Sequence, residues 1–254
     1  MRTSRRVYFE NADGIRLSGI IEQPDAPPVA CAIFSHCFPC TKDLKAIVKI
    51  SRRLAEHGVA VLRFDFTGLG NSEGNFSDSN FDSNCADVRA AIEFMGQEIA
   101  PPKLLVGHSL GGTAMLTVVA EFDSVQAITT IASPSTTLHL SEFLERTNPG
   151  IVEDGSGEVE IGGRTYLIKN QLLENLRAHD LSQHLAKLTI PHLVIHPKND
   201  QTLPYWHAEK MLAMTGGPGS LITLEEADHL LVKPAGEAEY VADMINLWFN
   251  RTSG

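Results

Sequence analysis

The stretch Leu104-Leu105-Val106-Gly107-His108-Ser109-Leu110-Gly111-Gly112 is an apolar run that stops at a Gly-x-Ser-x-Gly sequence and gives way to Ala- and Leu-rich residues. Val106 and the residues before it suit a buried parallel strand, and Thr113 to Phe122 suit a helix, so Ser109 is expected on a sharp strand-to-helix turn. Glycines at 107 and 111 fit that geometry, because such a turn leaves room only for tiny neighbours. The backbone amides of the turn then point toward the oxygen of a carbonyl under attack. Gly-x-Ser-x-Gly alone recurs in many unrelated chains, so the strand before it and the helix after it carry the inference.

Outward from this turn the chain alternates. Upstream, Val7 to Glu10 and Arg16 to Glu22 flank an Asp13-Gly14 turn and read as an antiparallel hairpin. Val29 to Phe34 is an unbroken apolar run, followed by a helix from Leu44 to His57, a strand from Val59 to Phe64, a Gly/Asn/Ser-rich loop and a helix from Phe81 to Glu98. Downstream, Val125 to Ala132 is a further strand. Strand-then-helix units in this order imply an α/β fold with a mostly parallel, doubly wound sheet, whose ligands belong at the carboxyl ends of the strands. His36, Asp65 and Ser109 all fall at such ends.

The rhythm breaks between residues 133 and 190 and resumes with strands at His192 to His196 and Ser220 to Leu224 and helices at Tyr205 to Met214 and Ala238 to Asn250. The expected organisation is one domain, with residues 1–132 and 191–254 as the core and 133–190 as an inserted lid or cap. Within the insertion, Glu158 to Ile161 and Arg164 to Ile168 flank Gly162-Gly163 and predict a β-hairpin. A surface decoration without substrate contact is the alternative for this segment. No internal repeat or low-complexity tail is evident.

Composition narrows the function classes. A chain of 254 residues, 43% apolar, buries a large core. Net charge is −10 and basic residues form no large cluster, which argues against nucleic acid and anionic membranes as partners. No apolar run approaches the roughly 20 residues of a membrane span. The N-terminal arginines lead into Val7-Tyr8-Phe9-Glu10 rather than an apolar signal core, and four cysteines are too few for a disulfide scaffold. A cytoplasmic location is the expectation, with a homodimer compatible.

A serine hydroxyl attacks only when a base takes its proton, and the base needs an acid to fix its tautomer. In folds with a nucleophile elbow the chain order is Ser, then Asp or Glu, then His. His229 lies just past the last strand, and Asp200 just past the strand ending at His196. Asp228, Glu225 and Glu226 are too near His229 along the chain to reach round its ring easily, so Asp200 is preferred. His108 is set aside because strand neighbours face opposite sides. The amide of Leu110 and that of Phe38, in the loop after the first parallel strand, are the candidate oxyanion donors. Asp65 and Ser72 are read as bracing residues. Cys37, Phe143, Tyr166 and Leu172 are the candidate wall of a substrate pocket.

His36-Cys37-Phe38-Pro39, Arg63-Phe64-Asp65 through Gly74, Gly107 through Gly112, Asn199-Asp200 and Ala227-Asp228-His229 together resemble the ordered motifs of the α/β-hydrolase superfamily over nearly the whole chain. Cys37 to Asp43 and Gln171 to Leu181 are similar to the hydrolase half of bacterial fusions with an osmotically inducible (OsmC-type) peroxidase domain, and the layout also resembles feruloyl and cinnamoyl esterases. The resemblance implies Ser109, Asp200 and His229 as triad, Phe38 and Leu110 as oxyanion hole, and a carboxylesterase acting on small acyl or aryl esters with no metal or organic cofactor. A thioesterase or amidase on the same triad and a non-catalytic, redox-responsive binding module are the alternatives. One departure is Cys37 where such hydrolases usually carry glycine. Cys37-x-x-Cys40 has redox spacing; both thiols are read as reduced packing residues, with a disulfide across the loop, or zinc held with a third ligand, as alternatives.

Overall fold

The computed structural model describes residues 2–252. β1 (Thr3–Glu10) and β2 (Arg16–Gln23) form the N-terminal hairpin, antiparallel with Val7 opposite Gly19. There follow β3 (Ala30–Ser35), α1 (Lys45–Glu56), β4 (Val59–Phe64), α2 (Phe81–Glu98), β5 (Leu104–His108), α3 (Leu110–Val118) and β6 (Ala127–Ile131). An excursion holds α4 (Leu138–Thr147), α5 (Gly150–Glu153), β7 (Ser156–Ile161), β8 (Arg164–Lys169), α6 (Asn170–Ala178) and α7 (Leu181–Lys187). β9 (His192–Pro197), α8 (Trp206–Met214), β10 (Gly219–Leu224) and α9 (Glu237–Thr252) complete the chain.

Eight strands form one sheet in the order β1-β2-β4-β3-β5-β6-β9-β10. β2 pairs antiparallel with β1 and β4, and every pairing from β4 to β10 is parallel. Every residue of β3, β4, β5, β6 and β9 is buried, which is why these strands read as continuous apolar runs. Successive residues nevertheless serve different cores, as a period of two demands. Cys31 and Ile33, with Ala60, Leu62 and Phe64, pack with α2 and α3, whereas Ala32 and Phe34, with Val59 and Val61, pack with α1 and α9.

The direction of the strand order reverses at β3, whose neighbours are β4 and β5. The loops leaving β3 and β5 therefore diverge to opposite faces and open a crevice at the carboxyl edge, the general ligand position in such sheets. Parallel register sets Ser35 beside Gly107, so the segment after β3 emerges next to the elbow after β5.

The excursion leaves after β6 and returns into β9, and these two strands are hydrogen-bonded neighbours. It carries its own apolar set: Leu144, Ile151, Val159, Ile168, Leu172, Leu173 and Leu176 are buried and join the α2/α3 core. The β7–β8 turn is Gly162-Gly163 with φ of 59° and 76°, the positive pair that a two-residue hairpin turn matched to strand twist requires.

Element boundaries largely follow the apolar pattern, with one informative shift. α3 starts at Leu110 rather than near Thr113. Gly111 and Gly112, which weaken a helix reading, are there for packing: a Cβ on Gly111 would lie 2.4 Å from the His36 carbonyl, and one on Gly112 would lie 2.2 Å from Ser133 Oγ. Among the described residues no helix is long and apolar enough to cross a membrane.

Candidate active site

Ser109 joins β5 to α3 with φ 53° and ψ −129°, a left-handed conformation that costs a non-glycine residue on the order of 1–3 kcal/mol and persists only where the surroundings hold it. Those surroundings are visible. The Ser109 amide donates to the Ile131 carbonyl at 2.8 Å, and the Ser109 carbonyl accepts from the Gly112 amide at 3.0 Å. Gly107 lets the helix return over the strand, since a Cβ there would lie 2.3 Å from Gly112 Cα. Leu110 is the first residue of α3, so its N–H has no partner within the helix and points out of its N-terminus.

His229 and Asp200 meet at the same edge. His229 Nδ1 donates to Asp200 Oδ2 at 2.7 Å, with the two side chains 11% and 0% exposed. Asp200 Oδ1 accepts from the amides of Thr202 and Leu203 at 2.8 and 2.9 Å. Burial pushes the Asp200 carboxyl up, but the hydrogen bond and charge of His229 and the two amides outweigh it and hold the group below its ordinary value. The engaged Nδ1 leaves Nε2 as the nitrogen able to take a proton. Among the described residues the Ser109 hydroxyl makes no hydrogen bond, a looseness common when no substrate is bound. Asp228 is occupied elsewhere, capping its own turn through the Val232 amide at 2.7 Å.

His108 lies beside the loop that carries His229. Its ring lies 5.2 Å from that of His229, and its Nε2–H donates to the His229 carbonyl at 2.7 Å. Burial, then the neighbouring His229, depress the His108 pKa to about 3, so it stays neutral and tethers the loop that carries His229.

The loop after β3 is held from several directions. His36 Nε2 accepts from the Phe66 amide at 3.1 Å and Nδ1 donates to the Cys37 carbonyl at 2.8 Å. Burial pushes its pKa down to about 4, in keeping with a neutral ring whose two nitrogens are both committed. The fully buried Lys42 places Nζ 2.6 Å from Asp65 Oδ2 and donates its amide to Asp65 Oδ1 at 2.7 Å. Asp65 also accepts from the Asn71 amide at 2.9 Å, and Ser72 Oγ donates to the Asp65 carbonyl at 2.7 Å. Both residues thus brace the site's frame.

Cys37 and Cys40 are joined by a disulfide, which corrects the reading of two reduced packing thiols. The four-residue turn between them closes on itself, with the Cys40 amide 2.8 Å from the Cys37 carbonyl. That brings the sulfurs together, so spacing that looked merely permissive is used. Phe38 lies inside the bridged loop.

A narrow cavity of about 10 Å³, lined by Cys37, Phe38, Phe66, Leu69, Phe76, Leu110 and Leu172 with four polar residues, adjoins both candidate oxyanion residues. Cys37 and Leu172 are among its lining residues. Tyr166 stands one layer out, its ring 5.1 Å from Phe76 and its hydroxyl donating to the Pro39 carbonyl at 3.3 Å. Phe143, 37% exposed on α4, is not among the lining residues. Phe66, Leu69 and Phe76 were missed from sequence. Their position just past β4, the strand next to β3, was the available signal.

The comparisons with known proteins agree with this fold. The esterase domain of a Rhodothermus marinus protein is 36% identical over 99% of this chain and 100% of its own, with a TM-score of 0.79. The sequence model of the alpha/beta hydrolase family matches residues 32–243. The chain belongs to the alpha/beta hydrolase family. Est1E from Butyrivibrio proteoclasticus, solved with ferulic acid bound, shares the fold at a TM-score of 0.82 and 22% identity, covering 97% of this chain and 99% of its own. The mitochondrial palmitoyl-protein thioesterase ABHD10 of Pongo abelii is 26% identical over 192 residues, 70% of this chain and 60% of its own. The α/β-hydrolase fold expected from the sequence, with its N-terminal antiparallel hairpin and separate two-stranded sheet, is the fold observed.

Proposed function

We propose that this hydrolase is a carboxylesterase acting on small acyl or aryl esters through Ser109, His229 and Asp200. The observation that carries the reading is the 2.7 Å His229–Asp200 hydrogen bond at the sheet edge where Ser109 is held in a strained turn. His229 Nε2 takes the hydroxyl proton as Ser109 Oγ attacks the carbonyl carbon, and Asp200 stabilises the imidazolium without accepting a proton itself. The amides of Phe38 and Leu110 bind the oxyanion. His229 then protonates the leaving alkoxide as the acyl–alkoxy bond breaks, and a water, deprotonated by His229, releases the acid from Ser109. Residues 133–190 act as the lid, with Leu172 on the cavity wall. No cofactor enters these steps.

The aromatic, narrow cavity favours a compact or planar acyl group over a long chain. A fluorophosphonate probe is expected to label the wild-type protein at Ser109 and to leave Ser109→Ala unlabelled. Equal labelling of both proteins, or none of the folded wild type, overturns the reading. A p-nitrophenyl ester series of increasing chain length, run beside methyl ferulate and an acetyl thioester, sorts the substrate class; rates that climb through long acyl chains refute the assignment to small and aryl groups.

A further inference from the structure

Two buried histidines outside the proposed triad reach the loops that carry its acid and its base. His108 is the last residue of β5, and its Nε2–H donates to the His229 carbonyl at 2.7 Å. His196, on β9, donates its Nε2–H to the Leu203 carbonyl at 3.0 Å, and the same nitrogen lies 3.7 Å from Asp200 Oδ2. Leu203 in turn donates its amide to Asp200 Oδ1 at 2.9 Å, and Asp200 Oδ2 accepts from His229 Nδ1 at 2.7 Å. The contacts thus run without a break through His196, Leu203, Asp200, His229 and His108. Both ends sit on paired strands: His108 lies opposite Ile131 of β6, and Ile131 opposite Ile195, the residue before His196.

The acceptors decide the tautomers. A carbonyl oxygen only accepts, so each ring carries its proton on Nε2 and keeps a lone pair on Nδ1. Among the described residues neither Nδ1 has a hydrogen-bond partner, and both atoms are buried. Packing gives no reason for that arrangement, since an apolar side chain of similar size would leave no dry acceptor. What each ring supplies is its Nε2–H. Burial lowers both pKa values, that of His108 to about 3, so the two donors are neutral. Neither sets a positive charge against the imidazolium that the proposed reaction forms on His229.

We propose that His108 and His196 are positioning residues for the ester hydrolysis, a pair of neutral donors that fix the His229 backbone and the Asp200 turn so that His229 Nε2 stays aimed at Ser109. Resting on the carboxylesterase reading, this places the alignment of the base outside the triad. Asp200 grips His229 by its ring and His108 grips it by its backbone, so loss of either contact lets the ring swing.

Gln and Asn substitutions separate the donor from the ring, because a Gln amide reaches the place of Nε2 and an Asn amide only that of Nδ1. On p-nitrophenyl acetate, His108→Asn and His196→Asn are expected to lower kcat by about 10–100-fold with KM changed less than about twofold, the cost of misplacing a reacting group by about an ångström. His108→Gln and His196→Gln should stay within about threefold of wild type. Met, which fills the ring's volume without a donor, stands in at either position where Asn unfolds the protein. The rate of fluorophosphonate labelling at Ser109 should follow kcat through the series, since that attack uses the same base. In a His229→Ala background the Asn substitutions should change the residual rate by less than about twofold, because no base is left to aim; a role in folding alone would persist there. Equal kcat in the Gln and donor-free variants, or an effect that survives the loss of His229, overturns the positioning role. Absence of labelling in folded wild type sinks the esterase reading instead.

Discussion

Opening the Cys37–Cys40 bridge tests how the loop proposed to bind the oxyanion is held. The bridge closes a loop of four residues, from a sequence separation of 3. In the chain-entropy description such a closure is worth about 1.9 kcal/mol at room temperature. Applied to a protein of this length, that lowers Tm by roughly 4–8 °C. The effect on turnover is bounded by the same figure: if the freed loop spent all of that free energy on conformations that withdraw the Phe38 amide, kcat would fall by about 25-fold. Losing an oxyanion donor outright costs roughly 10²–10³. Native tethers oppose the withdrawal, namely the His36–Cys37 hydrogen bond, the Lys42 amide on Asp65 and the Tyr166 hydroxyl on the Pro39 carbonyl. A loss between about two- and 25-fold is therefore expected. The assay measures kcat on p-nitrophenyl acetate and Tm for the oxidised protein, the dithiothreitol-reduced protein and the double variant Cys37→Ser/Cys40→Ser. Identical rates and melting in all three forms refute the reasoning, and so does a loss beyond about 100-fold in a folded protein, which would mean the bridge alone holds the donor.

Asp200→Asn should lower kcat by roughly 10⁴, because the amide presents the wrong partner to His229 Nδ1; a loss under tenfold would remove Asp200 from its proposed role. Lys42→Met leaves the Asp65 carboxylate buried without its 2.6 Å ammonium partner, a loss of about 3–5 kcal/mol that urea unfolding would register; Lys42→Met/Asp65→Asn should recover part of it, and a stable single variant contradicts the bracing role. Burial raises the Asp87 pKa from 3.8 to about 6, against hydrogen bonds from Thr67 and Asn11. The native state therefore holds this proton more tightly than the unfolded chain, and the group's contribution to stability declines as pH rises from about 4 to about 6. A carbon-13 titration of Asp87 with a midpoint near its ordinary value would contradict this.

The sheet was legible because its strands are buried on both faces: runs such as Val59–Phe64 need no alternation to be recognised, and β4 and α2 begin and end where their apolar patterns do. Chain order then pointed to Asp200 and His229, since in a parallel sheet each strand delivers its following loop to one edge. What stayed hidden depends on loop paths. Phe66, Leu69 and Phe76 reach the cavity because the segment after β4 wraps Asp65, a path set by hydrogen bonds to Lys42, Asn71 and Ser72 rather than by any periodic pattern. Cys37 and Cys40 carry the same letters whether bridged or reduced, so only the closed turn between them decides.

Because the excursion departs from one strand and rejoins at the strand bonded to it, its removal would leave the pairing of Ile131 with Ile195 in place. The excursion thus adds no strand to the eight-stranded sheet, and the apolar packing of its buried side chains on α2 and α3 helps hold it to the rest of the chain. An exchange of this segment between relatives has to keep Ser133, which packs against Gly112, and Pro134, whose carbonyl accepts from Thr113, because both touch the helix that follows Ser109. The Gly162-Gly163 tip, where an added side chain meets nothing within 4 Å, is the natural place to splice in a reporter or lengthen the roof.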